Sequence, residues 1–274
     1  MYRILIAGCG YAGCAIGSYF RSKNQKVWGI VRSRAHTKEL ESLGIEPLVC
    51  DIEKPSVLND LPPADFVIIS VSPQAGSKEN YRKIYLEGIG NLLKAIHLRL
   101  RPLLVVHLSS TGVFGEQSGA WVDEMTDPKP DDEKGRILLA SEEQTLKSGL
   151  NSIVFRLGGI YGPGRNRIQS VREGKLPNET NRFINLIHVE DITRAMPVLF
   201  NKAEVGNVYL GVDDEPVLQS ELYRHLAVKL NVSIPVFSDS QITRGKRCRN
   251  ARLKSIGFQF KYPTFREGYE SLLP

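Results

Sequence analysis

The chain has 274 residues, 42% hydrophobic and 24% charged, enough for one large core or a core with a smaller lobe, and unlike a disordered or collagen-like polymer. A strand-like run begins at Arg3, no apolar stretch approaches the roughly 20 residues of a membrane span, and Cys9, Cys14, Cys50 and Cys248 lack CxxC spacing, so a cytoplasmic protein with reduced thiols is expected. The formal net charge of +6 points to anionic partners, yet no nucleic-acid-binding motif accompanies it, and the five histidines show no metal-ligand spacing.

Short Val/Ile/Leu-rich runs at 3–7, 26–31, 46–49, 65–70, 103–109 and 152–156 predict strands. Amphipathic stretches at 11–22, 34–43, 77–98 and 132–149 predict helices between them. The strands are continuously apolar rather than alternating, as expected when helices cover both faces of a sheet. This order predicts an α/β protein of Rossmann type, a doubly wound parallel sheet with right-handed crossovers. Within 77–98, the stripe Tyr81, Tyr85, Ile89, Leu92 and Ile96 falls at helical spacing and reads mostly as core. Beyond Gly162 the pattern loosens into a Gly/Pro/Arg-rich loop at 162–167, a short helix at 168–173, a strand at 183–187, a helix from Glu190 and a strand at 208–210. Residues 218–274 contribute one clear helix and a basic stretch. Residues 1–162 are read as the Rossmann domain, and 163–274 as a smaller C-terminal substrate lobe interleaved with the last sheet elements.

Gly8-Cys9-Gly10-Tyr11-Ala12-Gly13 follows the first strand directly and opens a helix, the setting in which a G-x-G-x-x-G motif binds a dinucleotide. Gly8 allows the tight turn, Gly10 lets a pyrophosphate approach the backbone, and Gly13 lets the helix pack on the sheet. The helix start then offers N–H groups and a positive dipole end to the phosphates. The bland alternative is a glycine-rich turn with no ligand. The second strand runs into Arg32-Ser33-Arg34 with no acid for the ribose hydroxyls, so Arg32 and Ser33 favour the 2′-phosphate of NADP over NAD unless Arg32 is simply solvated. Asp51 and Ile52, after the third strand, are placed to line the adenine, although Asp51 is equally suited to cap a helix.

Four stretches together resemble the extended short-chain dehydrogenase/reductase superfamily, in its branch of NAD-dependent epimerases and dehydratases. They are 8–13, the run Leu108-Ser109-Ser110-Thr111-Gly112-Val113-Phe114-Gly115, the run Arg156-Leu157-Gly158-Gly159-Ile160-Tyr161-Gly162-Pro163-Gly164-Arg165, and Ile187-His188-Val189-Glu190-Asp191. The resemblance implies that Ser110 occupies the catalytic Ser/Thr slot and that Ser70, Val71, Ser72 and Ser109 line the cofactor. It places Tyr161 and Arg165 between the nicotinamide and the substrate, and His188 and Asp191 at the lobe junction. It also implies a homodimer pairing through the helices at 77–98 and 132–149.

The departure from that pattern is as informative as the match. Such enzymes use a Tyr-x-x-x-Lys pair, in which the lysine charge lowers the tyrosine pKa so that the phenol exchanges a proton near neutral pH. A glutamate usually follows that tyrosine by eight residues. Counting back from Glu142 gives Lys134 and Leu138, and from Glu143 Gly135 and Leu139; no tyrosine occurs between Tyr85 and Tyr161. Ser110 then reads as a hydrogen-bond donor to a carbonyl or as a packing hydroxyl. Lys134 reads as a general acid or, within a charged run, as a solvated lysine.

Arg244, Lys246, Arg247, Arg249, Arg252 and Lys254 crowd one segment and, with Arg165, Arg167 and Arg172, suggest a cationic wall for a small anionic or sugar-like substrate. A solvated basic loop is the alternative. The sequence therefore supports an atypical NADP(H)- or NAD(H)-dependent oxidoreductase or epimerase, with a non-catalytic NADP(H)-binding redox sensor as the second reading and a nucleic-acid-binding module as the third.

Overall fold

A computed structural model describes residues 1–58, 60–73, 77–175, 181–234, 237 and 244–273. Seven strands form one parallel sheet: β1 (Arg3–Ala7), β2 (Lys26–Val31), β3 (Glu46–Val49), β4 (Phe66–Ile69), β5 (Leu104–Ser110), β7 (Ser152–Leu157) and β11 (Val208–Gly211). Their order is β3-β2-β1-β4-β5-β7-β11. Alternate residues of each strand serve opposite faces. Ile4 and Ile6 join Ile16 and Phe20 of α1 (Tyr11–Ser22) and Ile192, Met196 and Leu199 of α7 (Val189–Lys202). Leu5 meets Leu92 and Ile96 of α4 (Ile89–Arg99) and Ile137 of α5 (Glu133–Leu146) on the other face. Each such side chain gains about 1.5–3 kcal/mol on burial, which is why both parities of the strands are apolar.

The sheet grows away from β1 in both directions, so a crevice opens beyond the carboxyl ends of β1 and β4, where the strand order reverses. Gly8, the first residue after β1, has φ +95, and a Cβ there would lie 2.7 Å from the backbone of Ser70 and Val71 after β4. Only glycine fits that approach.

Several elements differ from the sequence expectation. The stretch 34–43 begins with a 3-10 turn, Arg34–His36, before α2 (Thr37–Ser42). The stretch 77–98 is α3 (Lys78–Arg82), a π-helical segment (Lys83–Gly88) and α4 rather than one helix. The single strand expected at 183–187 is two, β9 (Arg182–Ile184) and β10 (Leu186–His188), in different sheets. Buried Asn185 separates them, its side chain accepting from Cys248 N at 2.7 Å and donating to Lys246 O at 2.9 Å. Among the described residues of 218–274 there are three helices, α8 (Gln219–Lys229), α9 (Ala251–Ser255) and α10 (Phe265–Glu270), where one was expected. Four two-residue strands were also not anticipated in the sequence: β6 (Trp121–Val122), β12 (Val217–Leu218), β13 (Arg244–Gly245) and β14 (Arg247–Cys248).

The lobe packs α6 (Ile168–Arg172), α8 and α10 around Tyr161, Val171, Leu226, Phe265 and Tyr269. A short parallel pair, β8 (Gly159–Tyr161) with β10, links it to the sheet layer. Among the described residues no helix is long and apolar enough to cross a membrane.

Candidate functional site

A cleft of about 680 Å³ opens at the strand-order reversal, lined by Gly8, Gly10, Tyr11, Arg32, Ser33, Asp51, Ile52, Ser70, Val71 and Ser72. All ten were expected to line the cofactor, and they converge from the ends of four strands. Gly10 caps α1 with no side-chain hydrogen bond, and the helix's first backbone bond runs from Cys14 N to Gly10 O at 2.8 Å. The N–H groups of the first turn therefore have no intrahelical acceptor, a geometry suited to an anion.

The three glycines differ in what they are for. A Cβ on Gly13 would lie 2.2 Å from Gly8 O, so this residue serves the packing of α1 on the loop. Gly10 has φ −85, accessible to any residue, and a Cβ there would meet nothing within 4 Å. Its missing side chain leaves open space over the helix start rather than relieving a clash. Ala12 is buried, so it can offer a ligand only its backbone.

At the end beside β2 and β3, the cleft also takes in His36 and Glu39, whose side chains lie 3.8 Å apart, and Cys9, Cys14 and Cys50. Glu39 is an acid that the strand-end pattern did not reveal, because α2 swings it back toward the cleft. Burial pushes the Cys9 thiol up, and that of Cys14 up to about 11, with Glu39 adding to both, so neither is a reactive thiolate at neutral pH. Asp51 Oδ1 accepts from Glu53 N at 3.1 Å, combining a turn-capping bond with its place on the cleft wall.

Ser110 ends β5 half-buried, its Oγ accepting from Gly112 N at 3.0 Å and so starting the 3-10 turn Thr111–Phe114. Ser109, expected on the cofactor, instead points into the interior, because a strand alternates its side chains. It donates to Glu142, and Arg156 holds the same carboxylate in a fork with contacts of 2.8–3.2 Å. The Arg156 guanidinium also lies 4.9 Å from the Phe114 ring centroid. This buried set ties α5, β5 and β7 together behind Ser110.

Neither position of the expected Tyr/Lys pair on α5 is chemically equipped. Leu138 is buried, and Gly135 N is taken by the capping side chain of Asp132 at 2.8 Å. Lys134 is half-buried with its ammonium 5.0 Å from the Tyr81 ring centroid. Tyr81 in turn lies 5.4 Å from Tyr85, whose pKa burial raises to about 12 against a hydrogen bond to Ser72. Tyr85 is buried in the core that the helical stripe predicts, with Tyr81 packed against that core, and its hydroxyl end bonds Ser72 on the cleft wall.

The substrate-side residues divide. Arg165 is exposed with its guanidinium 5.5 Å from the Tyr11 ring, and Tyr11 OH donates to Pro163 O at 3.0 Å, so the loop 162–167 is clasped to the glycine loop. Tyr161, expected beside the nicotinamide, is instead 3% exposed and stacked on Tyr269 at 4.8 Å in the lobe core. Arg172 is exposed at the end of α6, whose buried Ile168 and Val171 face that core. Arg247 donates to Gly119 O at 2.6 Å and lies between the Trp121 and Phe183 rings, 5.0 Å from each, so its stacking fastens β14 to the loop before β6. At the junction, buried Asp191 accepts from Lys261 N at 2.7 Å and Tyr262 N at 3.1 Å, and His188 caps α7 through Glu190 N.

Residues 4–210 match the model of the NAD dependent epimerase/dehydratase family. Protein YeeZ of Escherichia coli K12 is 26% identical, with 96% of this chain and 97% of that protein covered. A putative NAD-dependent epimerase/dehydratase from Methylobacillus flagellatus superposes with a TM-score of 0.82 at 27% identity, covering 99% of this chain and 97% of that one. The dTDP-glucose 4,6-dehydratase DesIV of Streptomyces venezuelae, solved with NAD bound, shares the fold with a TM-score of 0.83 at 14% identity, covering 98% and 95%.

Proposed function

The chain belongs to the NAD dependent epimerase/dehydratase family, and from that premise we propose that it is an atypical NADP(H)-preferring oxidoreductase acting on a small anionic or sugar-like substrate. The observation that carries the reading is Gly10: neither its φ nor any neighbour demands glycine, while a Cβ would stand where a pyrophosphate meets the α1 N–H groups. In this reading the glycine loop holds the pyrophosphate, Arg32 and Ser33 hold the 2′-phosphate, and Asp51 and Ile52 flank the adenine. Ser70, Val71 and Ser72 border the path to the nicotinamide. That DesIV was solved with NAD supports a dinucleotide in a fold of this kind.

When bound, the nicotinamide donates or accepts the hydride. Ser110 offers its hydroxyl to the substrate oxygen from the end of β5. The phenol missing from α5 has its candidate replacement in Tyr81, which faces Lys134 across α3 and α5. Arg165, held over Tyr11, presents a cation beside the cofactor mouth.

Fluorescence titration with NADPH and NADH tests the reading. The wild type is expected to bind both, NADPH more tightly, and Gly10→Ala to keep the wild-type melting temperature while losing both. Arg32→Glu is expected to weaken NADPH by about 10- to 100-fold, the scale of a lost charge-assisted contact, and to leave NADH little changed. Equal affinities in the wild type would overturn the NADP preference, and binding of neither would overturn the function.

A further inference from the structure

Two cations are buried among the described residues, and the fold treats them differently. Arg156 is 4% exposed and forks onto Glu142. Lys246 is 8% exposed, has no ion-pair partner among the described residues, and spends one of its three N–H donors on Gly115 O at 2.9 Å. Glu116 and Asp131 act on it through their charge but form no ion pair with it among the described residues. Glu116 Oε1 accepts from Gln117 N, Ser118 N and Gly245 N at 3.0, 2.8 and 2.7 Å, and Asp131 Oδ2 accepts from Glu116 N at 2.6 Å. Arg182 adds a second positive charge within reach.

The position of Lys246 gives the unpaired charge a purpose. Gly115 closes the turn that Ser110 begins, and Lys246 lies between β13 and β14, where the lobe meets that turn. Asn185 clamps the backbone of the segment on both sides through Lys246 O and Cys248 N, while the bond to Gly115 O is what holds the ammonium. Arg247 cannot serve the same end while stacked between Trp121 and Phe183. We propose that Lys246 is the anchor for an oxyanion, carboxylate or phosphate, on the substrate, an assignment that rests on the oxidoreductase reading for there being a substrate at this seam. A buried ammonium with spare donors is costly alone and attracts an anion strongly where water is excluded. Burial also lowers the lysine pKa, against the raising effects of Cys248, Glu116 and Asp131 and with Arg182 acting in the same sense as burial; an arriving anion would raise it again.

Thermal unfolding with saturating NADPH, which fills the pyrophosphate seat, tests this with inorganic phosphate and with acetate, each against chloride at matched ionic strength. The wild type is expected to gain melting temperature saturably with one of the two anions, identifying phosphate or carboxylate as the better probe. Lys246→Met is expected to melt at or above the wild type without anion, since an uncompensated charge is gone, and to lose the anion-specific rise; Lys246→Arg retains the rise. If Lys246→Met melts lower, the ammonium was already satisfied by Gly115 and the assignment falls. It falls equally if the rise survives in Lys246→Met or is absent from the wild type. NADPH binding, read separately by its fluorescence, keeps the two conclusions apart. No NADPH binding defeats the proposed function, whereas NADPH binding with an anion response indifferent to residue 246 defeats only the anchor.

Discussion

Behind Ser110 stands a carboxylate that no local pattern announces. Glu142 accepts from Ser109 and forks onto Arg156, and all three side chains are buried. Removing one partner of such a pair leaves the other charged and dry, so Glu142→Ala is expected to cost about 3–5 kcal/mol in denaturant unfolding, while Glu142→Leu with Arg156→Met recovers most of it. A loss under about 1 kcal/mol would mean that the set does not hold β5 and β7 in place. In the sequence Glu142 served only to mark a frame, because a contact across 14 residues and two elements leaves no periodic trace. His107 is equally hidden: fully buried, with Nδ1 2.8 Å from Thr145 Oγ1, it has its pKa pushed by burial down to about 4. Between pH 6.5 and about 4 the unfolded chain takes up a proton on this ring that the folded chain refuses, so stability falls as pH is lowered through that window. The slope per such histidine approaches about 1.4 kcal/mol per pH unit, and His107→Phe is expected to flatten unfolding free energies measured at pH 7 and pH 5 accordingly.

Elements were legible where their period had room to repeat. The six strands read from continuous apolar runs all lie in the main sheet, since two buried faces impose the same demand at every position. Strands of two residues have no period to count, and the π segment Lys83–Gly88 shifts the phase of a helix without altering its composition. Tyr85 nonetheless stays in the core that the stripe predicts, while its hydroxyl end reaches Ser72. At α1 the glycine code was legible as a motif, but the division of labour within it required the backbone. Gly13→Ala forces a Cβ to 2.2 Å from the Gly8 carbonyl, an atom that cannot yield without moving the loop. It is expected to lower stability by about 1–3 kcal/mol in denaturant unfolding, whereas Gly10→Ala costs little. Equal losses would show that the open space over Gly10 is filled by the fold rather than kept for a ligand.

Across the whole molecule, segments far apart in sequence meet because parallel strands deliver all their carboxyl ends to one edge. The runs 8–13, 108–115 and 156–165 lie at the carboxyl ends of β1, β5 and β7, and their order was readable before their proximity was. The lobe was not readable in the same way, since Tyr161 looks identical in a sequence whether it faces a ligand or stacks on Tyr269. What couples lobe to sheet at the mouth of the cleft is the clasp of Tyr11 OH on Pro163 O, with Arg165 over the ring. Tyr11 also lines the cleft, so a ligand that fixes the start of α1 fixes the loop 162–167 with it. Coupling between two sites is reciprocal in free energy: if the cofactor tightens binding of an anion at the lobe seam, the anion tightens the cofactor by the same factor. Tyr11→Phe keeps the ring under Arg165 and removes one hydrogen bond, worth about 0.5–1.5 kcal/mol. Calorimetric titrations of NADPH with and without phosphate are expected to show a coupling factor that shrinks by about 2- to 10-fold in this variant. An undiminished factor would mean that the two loops communicate through the sheet and not through the tyrosine.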